Sequence, residues 1–250
     1  SPARFHQRIS RDWKAFCCHP PHPPPQAANN HLRCGSTGSM SDPDRESLPT
    51  APADSVRGFL PDNEGRQLYE WAARAAPLGP IIEIGSYCGR STIWLAQAAL
   101  RHNTVLYAVD HHRGSEDPQP RESHHDPALL DGSGAVDTFH EFRRNIMEAG
   151  VDSAVIPIVA ASAQLARFWR GELAMVFIDG GHSLEAALTD YRAWVGHLRP
   201  GGILAIHDVF ADPVEGGLAP FTIWQLASQS GLFEPLGTEG SLRGLMRITA

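Results

Sequence analysis

The chain has 250 residues, 42% of them hydrophobic, so it can bury one sizeable core but has little room for two independent domains. Its formal charge is -7, and Lys14 is the only lysine among 21 basic residues, which argues against a nucleic-acid surface and favours a small-molecule partner. No run approaches the roughly 18 to 20 apolar residues of a membrane span, and no apolar signal core is present, so the sequence predicts a soluble cytoplasmic protein without a membrane partner.

Cys17, Cys18, Cys34 and Cys88 form no CxxC pair suited to zinc, which fits a reducing compartment. Residues 1–50 are rich in proline, with Pro20, Pro21 and Pro23 to Pro25, followed by Gly35-Ser36-Thr37-Gly38-Ser39-Met40. They lack any sustained period and are expected to be a disordered extension. Met40 opens an acidic leader, so residues 1–39 read as an appended or upstream-translated stretch, leaving residues 51–250 as the folded domain.

From Gly65 to Ala76, the residues Leu68, Trp71, Ala72 and Ala75 recur at helical spacing, and Pro77-Leu78-Gly79-Pro80 ends that helix. An alternation of strands and helices follows: strand 81–84, helix 91–100, strand 105–109, helix 136–149 and strand 155–159. A short helical piece at 162–169 precedes strand 175–178, helix 184–198, strand 202–206 and helix 221–230. Two closing strands are expected at 232–236 and 242–248. Apolar strands separated by helices predict a parallel sheet covered on both faces, a doubly wound Rossmann-like α/β fold in a single domain. Ligands of such sheets bind beyond the carboxyl ends of the strands, so the residues just after each strand are the candidates for function.

The first strand runs into Glu83-Ile84-Gly85-Ser86-Tyr87-Cys88-Gly89-Arg90-Ser91-Thr92. Gly85 and Gly89 permit a tight turn and close approach of a nucleotide-like ligand, but the three-glycine GxGxxG spacing of a pyrophosphate site is missing. Glu83 would suit a cationic ligand, and S-adenosylmethionine carries both an ammonium and a sulfonium. Asp110, ending the second strand, can accept from two ribose hydroxyls. After the third strand, Ser162 and its neighbouring amides could meet an adenine edge. The fourth strand ends in Asp179-Gly180-Gly181-His182 and the fifth in His207-Asp208. Two aspartates with a histidine make a plausible site for Mg²⁺ or Mn²⁺.

Glu83-x-Gly85-x-x-x-Gly89, Asp110, Phe177-Ile178-Asp179-Gly180-Gly181-His182 and Leu198-Arg199-Pro200-Gly201-Gly202 followed by His207-Asp208 resemble the class I S-adenosylmethionine-dependent methyltransferases. The resemblance spans roughly residues 55–250. Asp110-His111-His112-Arg113-Gly114-Ser115-Glu116 and Ala205-Ile206-His207-Asp208-Val209-Phe210 are similar, more narrowly, to actinobacterial sugar O-methyltransferases, a group that serves mycobacterial methylmannose polysaccharide synthesis. The class implies strand order 3-2-1-4-5-7-6 with the last strand antiparallel. It also implies a methyl donor lying across Gly85 to Gly89, contacted from Glu83, Ser86, Ser91, Asp110, His111, Ser162 and Asp179. Metal-dependent members use carboxylates after the fourth and fifth strands, which here are Asp179 and Asp208 with His207 beside them. The catechol-type enzymes carry an Asp-Asn pair where this chain has His207-Asp208, so the ligand set stays open. A homodimer is implied by the resemblance alone.

Methyl transfer is an in-line displacement for which the protein supplies positioning and a proton acceptor. His182 is the expected general base, with His207 as base or His182 as metal ligand left as alternatives. The segment from His111 to Asp137 is long for an ordinary connection and reads as a lid, carrying His111, His112, Arg113, Glu116, Arg121, His124, His125 and Asp126 for the hydroxyls of an oligosaccharide or other small acceptor. The sugar expected from the narrower resemblance is a methylated mannoside, methylated on its 1-hydroxyl. Two other readings compete: a metal-independent O- or N-methyltransferase acting on a phenol or similar metabolite, and a nicotinamide oxidoreductase or passive nucleotide-binding module. The missing GxGxxG and the acidic Glu83 disfavour the dinucleotide, and the concentration of His and Asp at strand ends disfavours a passive module.

Overall fold

The structure, a computed structural model, describes residues 49–52, 54–114, 127–181, 183–212 and 218–248. Seven strands are β1 (Ile81–Ile84), β2 (Leu106–Asp110), β3 (Val155–Val159), β4 (Leu173–Ile178), β5 (Leu198–Ile206), β6 (Phe233–Glu239) and β7 (Leu242–Arg247). They form one sheet in the order β3-β2-β1-β4-β5-β7-β6. The β1–β2, β1–β4, β2–β3 and β4–β5 pairs are parallel, and β7 runs antiparallel to both β5 and β6. The helices are α1 (Asp62–Ala75), α2 (Arg90–Arg101), α3 (Phe139–Glu148), α4 (Ser162–Ala166), α5 (Leu184–Trp194) and α6 (Ala219–Gln229).

Side chains alternate across a strand, and here the alternation divides the core into two layers. Ile81, Leu106, Met175, Phe177, Ile203 and Ala205 pack on α1, α2 and α3. Ile82, Ile84, Val176, Ile178, Leu204 and Ile206 belong to the opposite layer, with Ala187 and Trp194 of α5 and Ile223 of α6. Because both faces are covered, the central strands read as unbroken apolar runs rather than as a polar alternation.

Element boundaries differ from expectation where local chemistry overrides periodicity. Helix α1 starts at Asp62, three residues early, after the extended Pro61 and with Asp62 and Glu64 favourably placed in its first turn. Helix α3 starts at Phe139 instead of 136, because Val136 bridges to Leu130 and the Asp137 carboxylate accepts the Phe139 amide at 3.0 Å. Helix α5 stops at Trp194 and tightens into a 3₁₀ turn over Val195–His197. Strand β5 begins at Leu198, since Leu198 pairs with Leu173 before a register shift, so Arg199-Pro200-Gly201-Gly202 is strand and not loop.

The expected extension over residues 1–50 lies outside the described residues except for Pro49 and Thr50. Thr50 is tied to α2: its amide donates to the Gln97 side chain at 2.8 Å, and Gln97 Nε2 donates back to its carbonyl at 2.9 Å. Within the expected lid, Glu116, Arg121, His124, His125 and Asp126 lie outside the described residues. Arg113 pairs with Asp131 at 3.0 Å, and the Asp131 carboxylate closes a turn by accepting from the amides of Ser133 and Ala135. No helix among the described residues is long and apolar enough to cross a membrane.

Helices α1 and α2 meet at Gly65, where a Cβ would lie 2.5 Å from Cε2 of the fully buried Trp94. Gly65→Ala gains about 1 kcal/mol of helix propensity but overpacks this contact at a cost of about 1–3 kcal/mol. Since a fully buried indole cannot step aside, the expected result is net destabilisation, read as a lower denaturation midpoint with an unchanged denaturant slope.

Candidate active site

The carboxyl ends of β1, β2, β4 and β5 converge on one edge of the sheet, and the approach of β1 to β4 is tight. At Gly85 the chain has φ 89°, and a Cβ there would sit 2.7 Å from the Asp179 carbonyl carbon, so only glycine fits. The turn continues through Tyr87 at φ 45° to Gly89 at φ 93°, which opens α2. Asp110 holds this turn in place. Its Oδ2 accepts the Ser86 and Tyr87 amides at 3.1 and 2.8 Å, and its Oδ1 accepts the His112 amide at 2.7 Å. A carboxylate has about four acceptor positions, so the half-buried Asp110 still has capacity for a ligand hydroxyl. The buried Ser86 hydroxyl has no partner, which is an opening for a ligand group on the same turn.

Four expected donor contacts have partners within the protein. Glu83 is wholly buried, and its two carboxylate oxygens accept the Ser91 and Thr92 hydroxyls, each at 2.5 Å, so both Glu83 and Ser91 brace β1 against α2 instead of facing a ligand. Burial, reinforced by the charges of Asp179 and Asp110 and only partly offset by those hydroxyls, pushes Glu83 up to about 8. Ser162 donates its hydroxyl to the buried Asp190 of α5, whose carboxyl is raised by burial against that single hydrogen bond. His111 is exposed and accepts the Arg113 amide through Nδ1 at 3.1 Å, while its neighbour His112 is buried against Thr138, Phe139 and Phe142. His182 lies outside the described residues.

Asp179, His207 and Asp208 do come together, each offering a ligand atom within 4.8 Å of the others. Asp208 is held at φ 56°, a conformation uncommon for a residue with a side chain and typical of functional sites. His207 Nδ1 lies 3.0 Å from Asp179 Oδ1 and 3.5 Å from Asp208 Oδ1. Its Nε2 lies 2.7 Å from Oε2 of Glu64, a residue 143 positions away that the sequence reading did not single out. Burial disfavours charge on His207, but Asp179, the hydrogen bonds to Asp179 and Glu64, and the charge of Asp208 outweigh it and push the ring up to about 11. A ring with both nitrogens facing carboxylates is a poor proton acceptor, which removes His207 as the alternative base.

The donor set fits a divalent ion: two half-exposed carboxylates and one imidazole nitrogen converge, and the far nitrogen of that imidazole rests on a carboxylate, as in metal sites whose histidines are oriented from behind. Glu64 had a legible signal. It falls on the same stripe of α1 as Leu68, Trp71, Ala72 and Ala75, all buried.

A sheet ordered 3-2-1-4-5-7-6, with a single reversed strand and a glycine turn facing an acidic strand end, is the plan of a Rossmann-like methyltransferase. Residues 82–209, just over half of the chain, match the family described as Methyltransferase domain, and the chain belongs to that family. Several solved structures are similar in fold. Cofactor-bound Rv0187 from MTB superposes with a TM-score of 0.55 at 18% identity, covering 77% of this chain and 84% of that one. The O-methyltransferase TomG of Streptomyces achromogenes, involved in tomaymycin synthesis and solved with SAM, gives 0.52 at 17% identity over 78% and 83%. The O-methyltransferase NovP gives 0.57 at 15% identity over 75% and 80%. The family match carries the methyltransferase class, the solved structures show the fold alone, and neither carries the narrower sugar-methylating group.

Glu83 generates a pH signature. Its folded value is raised above its unfolded one, so the folded state holds a proton that the unfolded state has lost between pH 4.5 and 8, and stability falls as pH rises through that window. Glu83→Gln keeps the neutral shape and removes the linkage. The expected outcome is a variant close to wild type at pH 4.5 that becomes progressively more stable relative to it up to pH 8, measured by urea unfolding across that range.

Proposed function

We propose that the chain transfers the methyl group of S-adenosylmethionine to an acceptor hydroxyl held beside a divalent ion at Asp179, His207 and Asp208. The observation that carries this reading is the convergence of those three side chains on the residue whose backbone closes the Gly85 turn, so that the donor turn and the cluster share Asp179. Gly85, Ser86, Gly89 and Asp110 are the residues proposed to hold the donor, with Asp110 taking a ribose hydroxyl.

Transfer forms a bond between the acceptor oxygen and the methyl carbon and breaks the carbon–sulfur bond, so the acceptor must shed a proton as it attacks. A divalent ion at the cluster, Mg²⁺ or Mn²⁺, would lower the pKa of a coordinated hydroxyl and fix its direction. The protein orients the acceptor through Asp179 and Asp208. His182, between Gly181 and the Ser183 cap of α5, is proposed as the proton acceptor, because His207 has both nitrogens committed. A sugar acceptor, a methylated mannoside methylated on its 1-hydroxyl, rests on the resemblance of Asp110-His111-His112-Arg113-Gly114 to sugar O-methyltransferases.

One observation favours a metal-independent alternative with a phenolic acceptor. The His207 ring is itself a cation among three carboxylates, so positive charge already stands where an ion would sit.

Labelled methyl transfer from S-adenosylmethionine to methylated mannosides and to phenols, each with Mg²⁺ and with a chelator, separates these readings. The expected result is mannoside labelling that chelation abolishes and that Asp179→Asn or Asp208→Asn lowers by more than about 100-fold, the upper end of what even outer partners of a metal site cost. Phenol labelling that ignores the chelator would establish the alternative, and labelling of no hydroxyl would overturn both.

A further inference from the structure

The cluster at the end of β5 is supported from behind by a residue that neither the family match nor the sequence motifs bring to notice. Glu64, in the first turn of α1, is buried, and its carboxylate reaches across to two other elements. Oε1 accepts the backbone amide of Ser241 at 2.7 Å, in the β6–β7 turn, and Oε2 faces His207 Nε2 at 2.7 Å. The Ser241 hydroxyl adds bonds at 3.3 and 3.2 Å. The turn is shaped around this carboxylate: Gly240 has φ 50°, and a Cβ there would lie 2.9 Å from Glu64 Cδ. The Ser241 amide, the Ser241 hydroxyl and the His207 ring all turn toward this carboxylate, which serves them as the shared acceptor.

We infer that Glu64 is a positioning residue that sets which edge of the His207 ring meets Asp179 and Asp208: by accepting the Nε2 proton it holds that proton in place and leaves the one on Nδ1, which faces the two aspartates, as the proton a divalent ion displaces. The inference rests on the metal reading of the cluster for its consequence, and on the hydrogen-bond geometry alone for the ring itself. The Ser241 amide can only donate, so whatever occupies position 64 must present an acceptor to it. A carboxylate has a second acceptor left for His207. A glutamine of the same shape does not: with its carbonyl oxygen on Ser241, its NH₂ group faces Nε2, and Nε2 must then become the acceptor. Only the Nδ1 proton is then left on the ring, bonded to Asp179, and an ion could take that nitrogen only by removing the ring's last proton.

The test is Glu64→Gln in the full chain, with two readouts that do not depend on turnover. Long-range proton–nitrogen correlation on ring-labelled histidine reports which nitrogen of His207 is protonated. Mn²⁺ titration followed by electron paramagnetic resonance reports ion affinity. Wild type is expected to carry a proton on Nε2, and Glu64→Gln to carry none there and to bind Mn²⁺ about 10–100-fold more weakly, the range typical for loss of a partner behind a metal-bound histidine. Ser241→Ala keeps the backbone amide while removing only the hydroxyl, so it should keep the Nε2 proton and wild-type affinity, which controls for damage to the turn. A Glu64→Gln protein that keeps its Nε2 proton overturns the inference, as does one that binds Mn²⁺ like wild type. If wild type binds no Mn²⁺ yet its Nε2 proton disappears in Glu64→Gln, the metal reading fails while the positioning role of Glu64 stands.

Discussion

The site depends on how closely the ends of β1 and β4 approach. Gly85 lies against the Asp179 backbone with no room for a Cβ, and the same Asp179 sends its side chain to His207. The Gly85 turn and the Asp-His-Asp cluster therefore form one mechanical unit with a shared residue. The adjacent parallel strands fix the relative heights of these ends: Ile84 pairs with Ile178 and Ile178 with Ile206, which sets Gly85, Asp179 and His207 at one level of the sheet edge. Apolar side chains on both faces of these strands lock that register, since a slip of one residue would turn the core residues of each strand to the wrong layer.

Ionisable groups are buried around this edge, and each has a different resolution of the burial cost. Glu83 has hydroxyl donors alone and two carboxylates nearby, so it resolves the cost by staying protonated near neutral pH. Asp190, with Ser162 as its hydroxyl donor, is raised for the same reason. Glu64 and His207 are stabilised as an ion pair by extra bonds from Ser241 and Asp179. Buried pairs of this kind contribute more to specifying one arrangement than to net stability, because desolvation of both partners consumes most of their attraction. Their value here is orientation: the ring of His207 has one permitted setting.

How much of this was legible follows from what each residue's neighbours are. The doubly wound fold was readable because strands buried on both faces leave continuous apolar runs, and the strand-end aspartates were readable because topology sends strand ends to one edge whatever the loops do. Boundaries were less so, since a 3.6-residue period cannot register the Leu130–Val136 bridge that delays α3 or the Leu173–Leu198 pairing that draws Arg199-Pro200-Gly201-Gly202 into β5. Motif spacing gives position along the chain and not side-chain direction, so it offers Glu83 and Ser162 as ligand contacts. Their partners, Ser91 with Thr92 and Asp190, capture them inside the protein. Glu64 was overlooked because an acid in the first turn of a helix has an ordinary explanation in the helix dipole. Only its place on the buried stripe, four residues before Leu68, contradicts that explanation.

The same stripe explains why α1 belongs to the site although it precedes the first strand. A helix covering β1 from outside would need apolar residues alone on its inner face. Here the inner face carries Glu64 at its open end and apolar residues through the rest of its length, so the helix is a lid on the core for three turns and a wall of the site for one. Arg90, the first residue of α2, reinforces that placement from the opposite side. It donates to the carbonyls of Leu60 and Val56 at 3.0 and 3.1 Å and pairs with Asp62 at 2.7 Å, fixing where α1 begins. The Gly85–Gly89 turn and α1 are therefore joined through one side chain. A change at Arg90 would reach His207 through α1 and Glu64.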